Sequence, residues 1–172
     1  IIPTVKVFLP YPLEEGIYNA IDRQAIVDKV FRGLGAVGSA GYVPETNICY
    51  NPEVIKYEYD REAARAVLAD RDISIELLSS NSENDVKMSE LIKNDLEAAG
   101  MKVSVLAVDG KVRDERVLDK DYDFALVGNG GWGRVPDYLR TLYSSESKFT
   151  VKNPHGMGAV GHDSEKITEP AE

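Results

Sequence analysis

The sequence predicts an α/β fold with a single lobe, in which helices flank a central sheet that is largely parallel or mixed. Between residues 73 and 127, strand-like apolar alternation and helical apolar spacing take turns, in the order strand, helix, strand, helix, strand. Crossovers of this length favour parallel strands with right-handed connections. Helix-capping residues stand where the pattern changes, and they set the borders of the predicted elements.

The first third of the chain predicts a strand, a helical segment and a loop. Residues 4–9 alternate as a strand, and residues 13–32 have helical spacing. Asp22 can interrupt that segment as the N-cap of a second helix, which Gly33 closes. Residues 36–58 contain glycine and proline with few periodic apolar residues, which indicates a long irregular surface loop.

The βαβαβ run follows a short helix. Asp60 is the expected N-cap of this helix, which extends to residue 69, and residues 73–77 alternate as the next strand. Residues 79–82, Ser-Ser-Asn-Ser, are interpreted as a polar turn.

Ser82 and Asp85 resemble a capping box at the start of the longest predicted helix, which Gly100 ends. The acidic residues of this helix are expected on its solvent face; they are Glu83, Asp85, Glu90 and Asp95.

Two further strands complete the run. Residues 101–108 and 122–127 are the strands, with a charged helix over residues 111–120 between them. A glycine-rich loop follows, then a helix over residues 135–145, and an irregular tail.

Composition and charge argue against some classes of function. The chain has 172 residues, enough for one domain with a core, and its net charge of −9 argues against binding to nucleic acid. The single cysteine excludes an internal disulfide.

The stretch Gly128-Asn-Gly-Gly-Trp-Gly133 is the main candidate for a functional loop. It follows a predicted strand directly and surrounds the only tryptophan of the chain. Glycine lets a backbone come close to a ligand, and a large ring beyond a strand end suits a binding surface. A tight turn with a packed tryptophan is the structural alternative, and the residues alone leave both open.

The residues give weaker support for a dinucleotide site, a metal site or a catalytic site. The loop fits the spacing of a dinucleotide fingerprint, but Trp132 inside the turn and Pro136 at the helix start do not suit a phosphate turn. The histidines, His155 and His162, lie in the glycine-rich tail and favour solvated side chains over a metal site. No spacing indicates a catalytic pair, and we expect neither a cofactor nor enzyme activity.

Several stretches together resemble a known family. They are Tyr18-Asn-Ala-Ile-Asp-Arg-Gln-Ala-Ile-Val27, Gly41-Tyr-Val-Pro44, Tyr57-Glu-Tyr-Asp-Arg-Glu-Ala-Ala-Arg-Ala-Val-Leu68, and Tyr122-Asp-Phe-Ala-Leu126 with the Trp132 loop. In this order they resemble the solute-binding proteins of ABC transporters for oligopeptides, dipeptides and nickel. The resemblance covers roughly residues 15–145.

The resemblance implies a lobe of a larger protein. Residues 1–172 would be the second lobe of a two-lobed periplasmic binding protein, with residues 1–12 and 150–172 as connections toward the missing first lobe. Its expected partners are a small solute, such as a peptide or a metal chelate, the first lobe, and an ABC permease. The implied location is extracytoplasmic, either periplasmic or anchored to the membrane outside the cell.

The resemblance also suggests roles for residues of the loop. Trp132 would stack on the solute or cover it, Asn129 would bond through its side chain, and Gly130 and Gly131 would bond through the backbone. Arg134 or Asp137 would fix the charge of the solute. Peptide binders of the family often carry an acid near the place of Arg134, so this departure allows an anionic solute or a metal chelate as well as a peptide.

Two other classes of protein remain as alternatives. One is an enzyme domain that binds phosphate or a nucleotide through residues 128–133. The other is a receiver-like signalling domain, because many functions share βαβ units. A receiver should have an acidic cluster at its strand ends, and Asp123, which is predicted inside a strand, does not provide one.

Overall fold

A computed structural model describes residues 2–5, 13–37, 47–48, 50–53 and 57–128. Four strands and five helices lie in these residues. In chain order they are β1 (Ile2–Val5), α1 (Leu13–Ala20), α2 (Arg23–Phe31), α3 (Arg61–Leu68), β2 (Ser74–Ser80), α4 (Glu83–Ala98), β3 (Lys102–Val108), α5 (Gly110–Asp119) and β4 (Phe124–Val127).

The sheet is mixed, as the sequence predicts. Its strand order is β1-β4-β2-β3; β2 pairs in parallel with both β3 and β4, and β1 pairs antiparallel with β4. Pro3 lies in β1, which is an edge strand, where a missing N–H group does not break the sheet. The strand expected at residues 4–9 begins earlier, at Ile2, and its predicted end lies outside the described residues.

Helices cover both faces of β2. Leu77 packs in the large cluster with residues of α4, and Leu78 packs in a smaller cluster with Val117 of α5. Successive residues of a strand point to opposite faces, so α4 and α5 lie on opposite sides of the sheet. Helices α1, α2 and α3 extend the layer of α4.

The predicted helix borders are confirmed where side chains cap them. The Asp22 carboxylate accepts a hydrogen bond from the Ala25 N–H at 2.8 Å, and Asp60 accepts one from the Ala63 N–H at 2.9 Å. Because Asp22 caps α2, the predicted long helical segment is two helices. Gly100 has a φ of +103°, which suits the residue after a helix.

The predicted polar turn at residues 79–82 is wrong in its first half. Ser79 and Ser80 are the last residues of β2, and both are buried. Small hydroxyl side chains are compatible with a turn, but the central place of β2 between two strands decides the conformation here.

Two of the four acidic side chains expected on the solvent face of α4 are partly buried instead. The Asp85 side chain is 21% exposed and faces α5. The Asp95 carboxylate accepts a hydrogen bond from the Asp22 N–H at 3.0 Å. Packing of α2 against α4 covers Asp95, and the Arg113 side chain of α5 reaches Asp85, which the spacing along one helix does not reveal.

Candidate functional site

The candidate site is the edge of the sheet where β2, β3 and β4 end, here called the carboxyl edge. Ser80 lies beside Val108 in the parallel register of β2 and β3, and Leu78 lies beside Ala125 of β4. The three strands therefore end side by side. In open α/β sheets, ligands bind in the crevice outside the carboxyl ends of the strands.

The glycine-rich loop starts at this edge. Gly128 follows the last residue of β4 and is exposed, and no described residue beyond its chain neighbours lies within 4 Å of the place that a Cβ would take. The other residues predicted to contact solute lie outside the described residues; they are Asn129, Gly130, Gly131, Trp132, Arg134 and Asp137. The structure thus gives the point from which the loop begins.

A polar network behind this point joins four elements. The Ser80 Oγ donates to the Asp85 Oδ2 at 2.5 Å, and the Arg113 Nη1 lies 3.6 Å from the same oxygen. The Arg113 Nη1 also donates to the backbone carbonyl of Leu126 at 3.2 Å. β2, α4, α5 and β4 are therefore connected close to the carboxyl edge.

The sequence does not predict this network. It predicts Asp85 as a cap residue, and the Asp85 N–H does donate to the Ser82 Oγ at 3.2 Å, which confirms the first bond of the capping box. The carboxylate of Asp85 has its own partners, Ser80 and Arg113. The available signal is an arginine at the first turn of a helix that follows a strand end, and that signal is weak.

A groove of about 380 Å³ adjoins the same edge, between the end of α2 and the start of α4. Its lining mixes apolar and charged side chains, namely Lys29, Val30, Phe31, Arg32, Leu34, Glu83, Asn84 and Lys87. Lys87 hydrogen-bonds Glu83 at 2.6 Å and holds the pKa of that carboxyl below its usual value. Lys29 and Arg32 give this surface a local positive charge in an acidic chain.

The part of the chain that the structure describes has no group of three or more His, Cys, Asp and Glu side chains able to hold a metal ion. None of the helices in that part has both the length and the apolar character needed to cross a membrane. Cys49, His155 and His162 lie outside it.

Comparison with protein families gives a match over most of the chain. Residues 14–150 match the model of the bacterial extracellular solute-binding proteins, family 5 Middle. A di/tripeptide-binding protein from Pseudomonas aeruginosa is 25% identical over 154 residues, which are 84% of this chain and 28% of that protein. The chain therefore spans about a quarter of the length of the curated relatives that it matches.

Solved structures share the fold. A periplasmic binding protein from Helicobacter pylori in complex with the peptide STSA aligns with a TM-score of 0.74 at 20% identity, over 83% of this chain and 29% of that one. OppA from Listeria monocytogenes bound to peptide aligns with a TM-score of 0.66 at 26% identity, over 80% of this chain and 30% of that one. The described arrangement of strands and helices thus recurs within longer chains.

Proposed function

We propose that this chain, which belongs to the bacterial extracellular solute-binding proteins of family 5, forms the second lobe of a two-lobed protein that captures a small solute for import. The family is one of binding proteins, so an enzyme domain that uses residues 128–133 for phosphate is set aside. The missing first lobe would provide the opposite wall of the binding cleft. The short share of its relatives that the chain covers supports this division.

The proposed solute is a peptide, a nickel chelate or a similar small molecule. The names of the relatives support the peptide: they include a di/tripeptide-binding protein and an OppA bound to peptide. Arg134 would place a positive charge where an acid is frequent in the peptide binders of this family. An anionic group on the solute is therefore part of the proposal.

The observation that carries the proposal is the position of Gly128 at the carboxyl edge. Gly128 follows β4 where three parallel strands end together, which is the usual ligand position in this class of fold. Trp132 would then stack on the solute or cover it. Asn129, Gly130 and Gly131 would bond to its polar groups, and Arg134 or Asp137 would match its charge.

The family description places these proteins outside the cell. For this chain we propose a periplasmic or membrane-anchored location, with an ABC permease as the partner that receives the solute. Recognition would follow closure of the two lobes around the solute.

The test is to identify the solute and to titrate it against two proteins. Mass spectrometry of small molecules that co-purify with the full-length protein gives the solute, and calorimetry compares that protein with the 172-residue chain. A cleft buries most of a ligand between two walls, so one wall should keep about half of the binding free energy. A dissociation constant of about 1 μM would become about 1 mM. Equal affinities would contradict the two-lobe proposal and place the whole site within this chain.

A further inference from the structure

We infer that Arg113 is a positioning residue for the glycine-rich loop of residues 128–133, here called the solute loop, an inference that rests on the proposed function. Its guanidinium holds the end of β4, two residues before Gly128. By fixing the end of the strand, it would fix the point from which the chain continues into the loop.

The first observation is the bond to the backbone of β4. The Arg113 Nη1 donates to the Leu126 carbonyl at 3.2 Å, so a side chain of α5 reaches across to the end of the strand. Leu126 is almost fully buried, and Val127 is the final residue of β4. A hydrogen bond from a charged group is stronger than a neutral one, and it fixes the carbonyl at the place where the loop departs.

The second observation is that Arg113 is itself held from both sides. The Asp85 Oδ2 lies 3.6 Å from its Nη1, and the Asp114 Oδ1 lies 2.8 Å from its Nη2. Asp85 in turn receives the Ser80 hydroxyl at 2.5 Å. The Arg113 side chain is only 15% exposed, so these carboxylates balance a charge that has little contact with water.

An arginine suits this position better than a lysine. The planar guanidinium carries five N–H groups in a fixed fork, and here it bonds a backbone carbonyl and a carboxylate while a second carboxylate lies nearby. The ammonium group of a lysine is a compact charge at the end of a flexible side chain, so it cannot bond all of these partners at once in the same geometry.

The same helix offers a matched control. Arg116 lies on α5 and is 25% exposed. Like Arg113 it has two carboxylates and one carbonyl as partners: Glu76 at 3.3 Å, Asp121 at 2.8 Å and the Asp121 backbone oxygen at 3.1 Å. Asp121 precedes β4, so Arg116 serves the opposite end of that strand.

The readout is Trp132, the only tryptophan of the chain, which lies in the solute loop by sequence. In the 172-residue chain without solute, Arg113→Met and Arg116→Met are compared by thermal unfolding and by acrylamide quenching of tryptophan emission. Both variants keep most of the aliphatic stem, and both should lower the melting temperature by about 2–4 °C. Only Arg113→Met should change the quenching and the emission maximum well below the melting temperature.

Two further variants show whether a change in quenching comes from the lost bond to Leu126 or from the unpaired charge of Asp85. The double variant Asp85→Asn/Arg113→Met removes both charges, so a remaining change in quenching is due to the lost bond to Leu126. Arg113→Lys keeps the charge but not the fork, and its quenching should resemble that of Arg113→Met.

Unchanged quenching in Arg113→Met and in the double variant, despite a lower melting temperature, would overturn the inference, as would wild-type quenching in Arg113→Lys. Because the readout needs no solute, it does not depend on the result of the titration that tests the proposed function. The inference can fail while the two-lobe proposal stands, and the reverse also holds.

Discussion

Arg113 and Arg116 lie one turn apart on α5 and make similar bonds, yet they serve opposite ends of β4. Arg116 joins Glu76 of β2 and Asp121, which lie where β2 and β4 begin. We call the edge where β2, β3 and β4 begin the amino edge. Arg113 joins β2, α4 and the end of β4 at the carboxyl edge. Bonds from an arginine thus join the starts of β2 and β4 at the amino edge and hold the end of β4 at the carboxyl edge.

The amino edge is built from tight contacts and local bonds. Gly100 packs against Ala69, and Lys102 bonds Asp72 at 2.5 Å. The Asp123 Oδ2 accepts a hydrogen bond from the Glu76 N–H at 2.9 Å. These contacts join the start of each strand to the turn that precedes its neighbour. They stabilise the sheet, and the proposed site lies at the other edge.

Because Arg113 is proposed to position residues 128–133, substitutions at the two edges should have different effects. Loss of an amino-edge contact should lower the free energy of unfolding and leave the loop unaffected in the folded protein. Loss of the network at the carboxyl edge should affect the loop as well. Substitutions of Gly100 and Ser82 test this division, and substitutions of Asp95 and Asp72 test the electrostatics of the fold; they follow from the largest expected effect to the smallest.

Gly100→Ala should cause the largest loss of stability. Gly100 has a φ of +103°, and a Cβ at this position would lie 2.6 Å from the Cα of Ala69, which is backbone and cannot move cheaply. Strain and overlap together should cost more than about 3 kcal/mol. Urea unfolding followed by circular dichroism measures this loss.

Gly33→Ala is the control for Gly100→Ala. Gly33 also has a positive φ, +75°, but nothing lies within 4 Å of the place that a Cβ would take, so only the conformational cost of about 1 kcal/mol remains. Equal losses in the two variants would show that the contact with Ala69 contributes nothing.

Ser82→Ala should cost about 1 kcal/mol, because the N-cap bond to the Asp85 N–H is lost. Asp60→Ala removes the N-cap of α3, and a similar loss is expected. Ser82 lies at the carboxyl edge but does not belong to the bond from Arg113 to Leu126. The Trp132 quenching of Ser82→Ala should therefore equal that of the wild type. A change as large as that in Arg113→Met would assign the positioning to the whole edge.

Asp95→Asn should have the smallest effect, visible in the pH dependence of stability. Burial raises the pKa of Asp95 in the folded state above its unfolded value of about 3.9. Its contribution therefore favours folding in acid and is lost as the pH rises through the folded pKa. Asp95→Asn should gain stability relative to the wild type between acid and neutral pH.

Asp72→Asn is the control of opposite sign. The hydrogen bond from Lys102 lowers the pKa of Asp72, so its contribution is present above about pH 4 and is lost as the pH falls through the folded pKa. Asparagine also tolerates the positive φ of this residue. Asp72→Asn should lose stability relative to the wild type as the pH rises, and parallel pH profiles for the two variants would contradict the assigned causes.

Much of the fold could be predicted from residues that act locally. Asp22, Asp60 and Ser82 cap helices through bonds to N–H groups within three residues, so sequence spacing is enough to find them. The family resemblance is confirmed by the match over residues 14–150. The roles of Trp132 and its neighbours in the loop stay predictions.

Contacts between distant segments could not be predicted. Ser80 and Asp85 are close in sequence, but their link to Arg113 and Leu126 depends on which strands are neighbours. The burial of Ser79 depends in the same way on the central place of β2.

Periodicity and capping act over a few residues along the chain, so the order of the elements and their caps could be predicted from local patterns. The family was predicted from the resemblance of several short stretches. Only packing between distant segments fixed the strand order β1-β4-β2-β3, the antiparallel pairing of β1 with β4, and the bond that joins Arg113 to Leu126 near the end of β4. These features arise when segments far apart in the chain pack together. A side chain's partners are then set by the neighbouring strand and the register, which no local pattern contains.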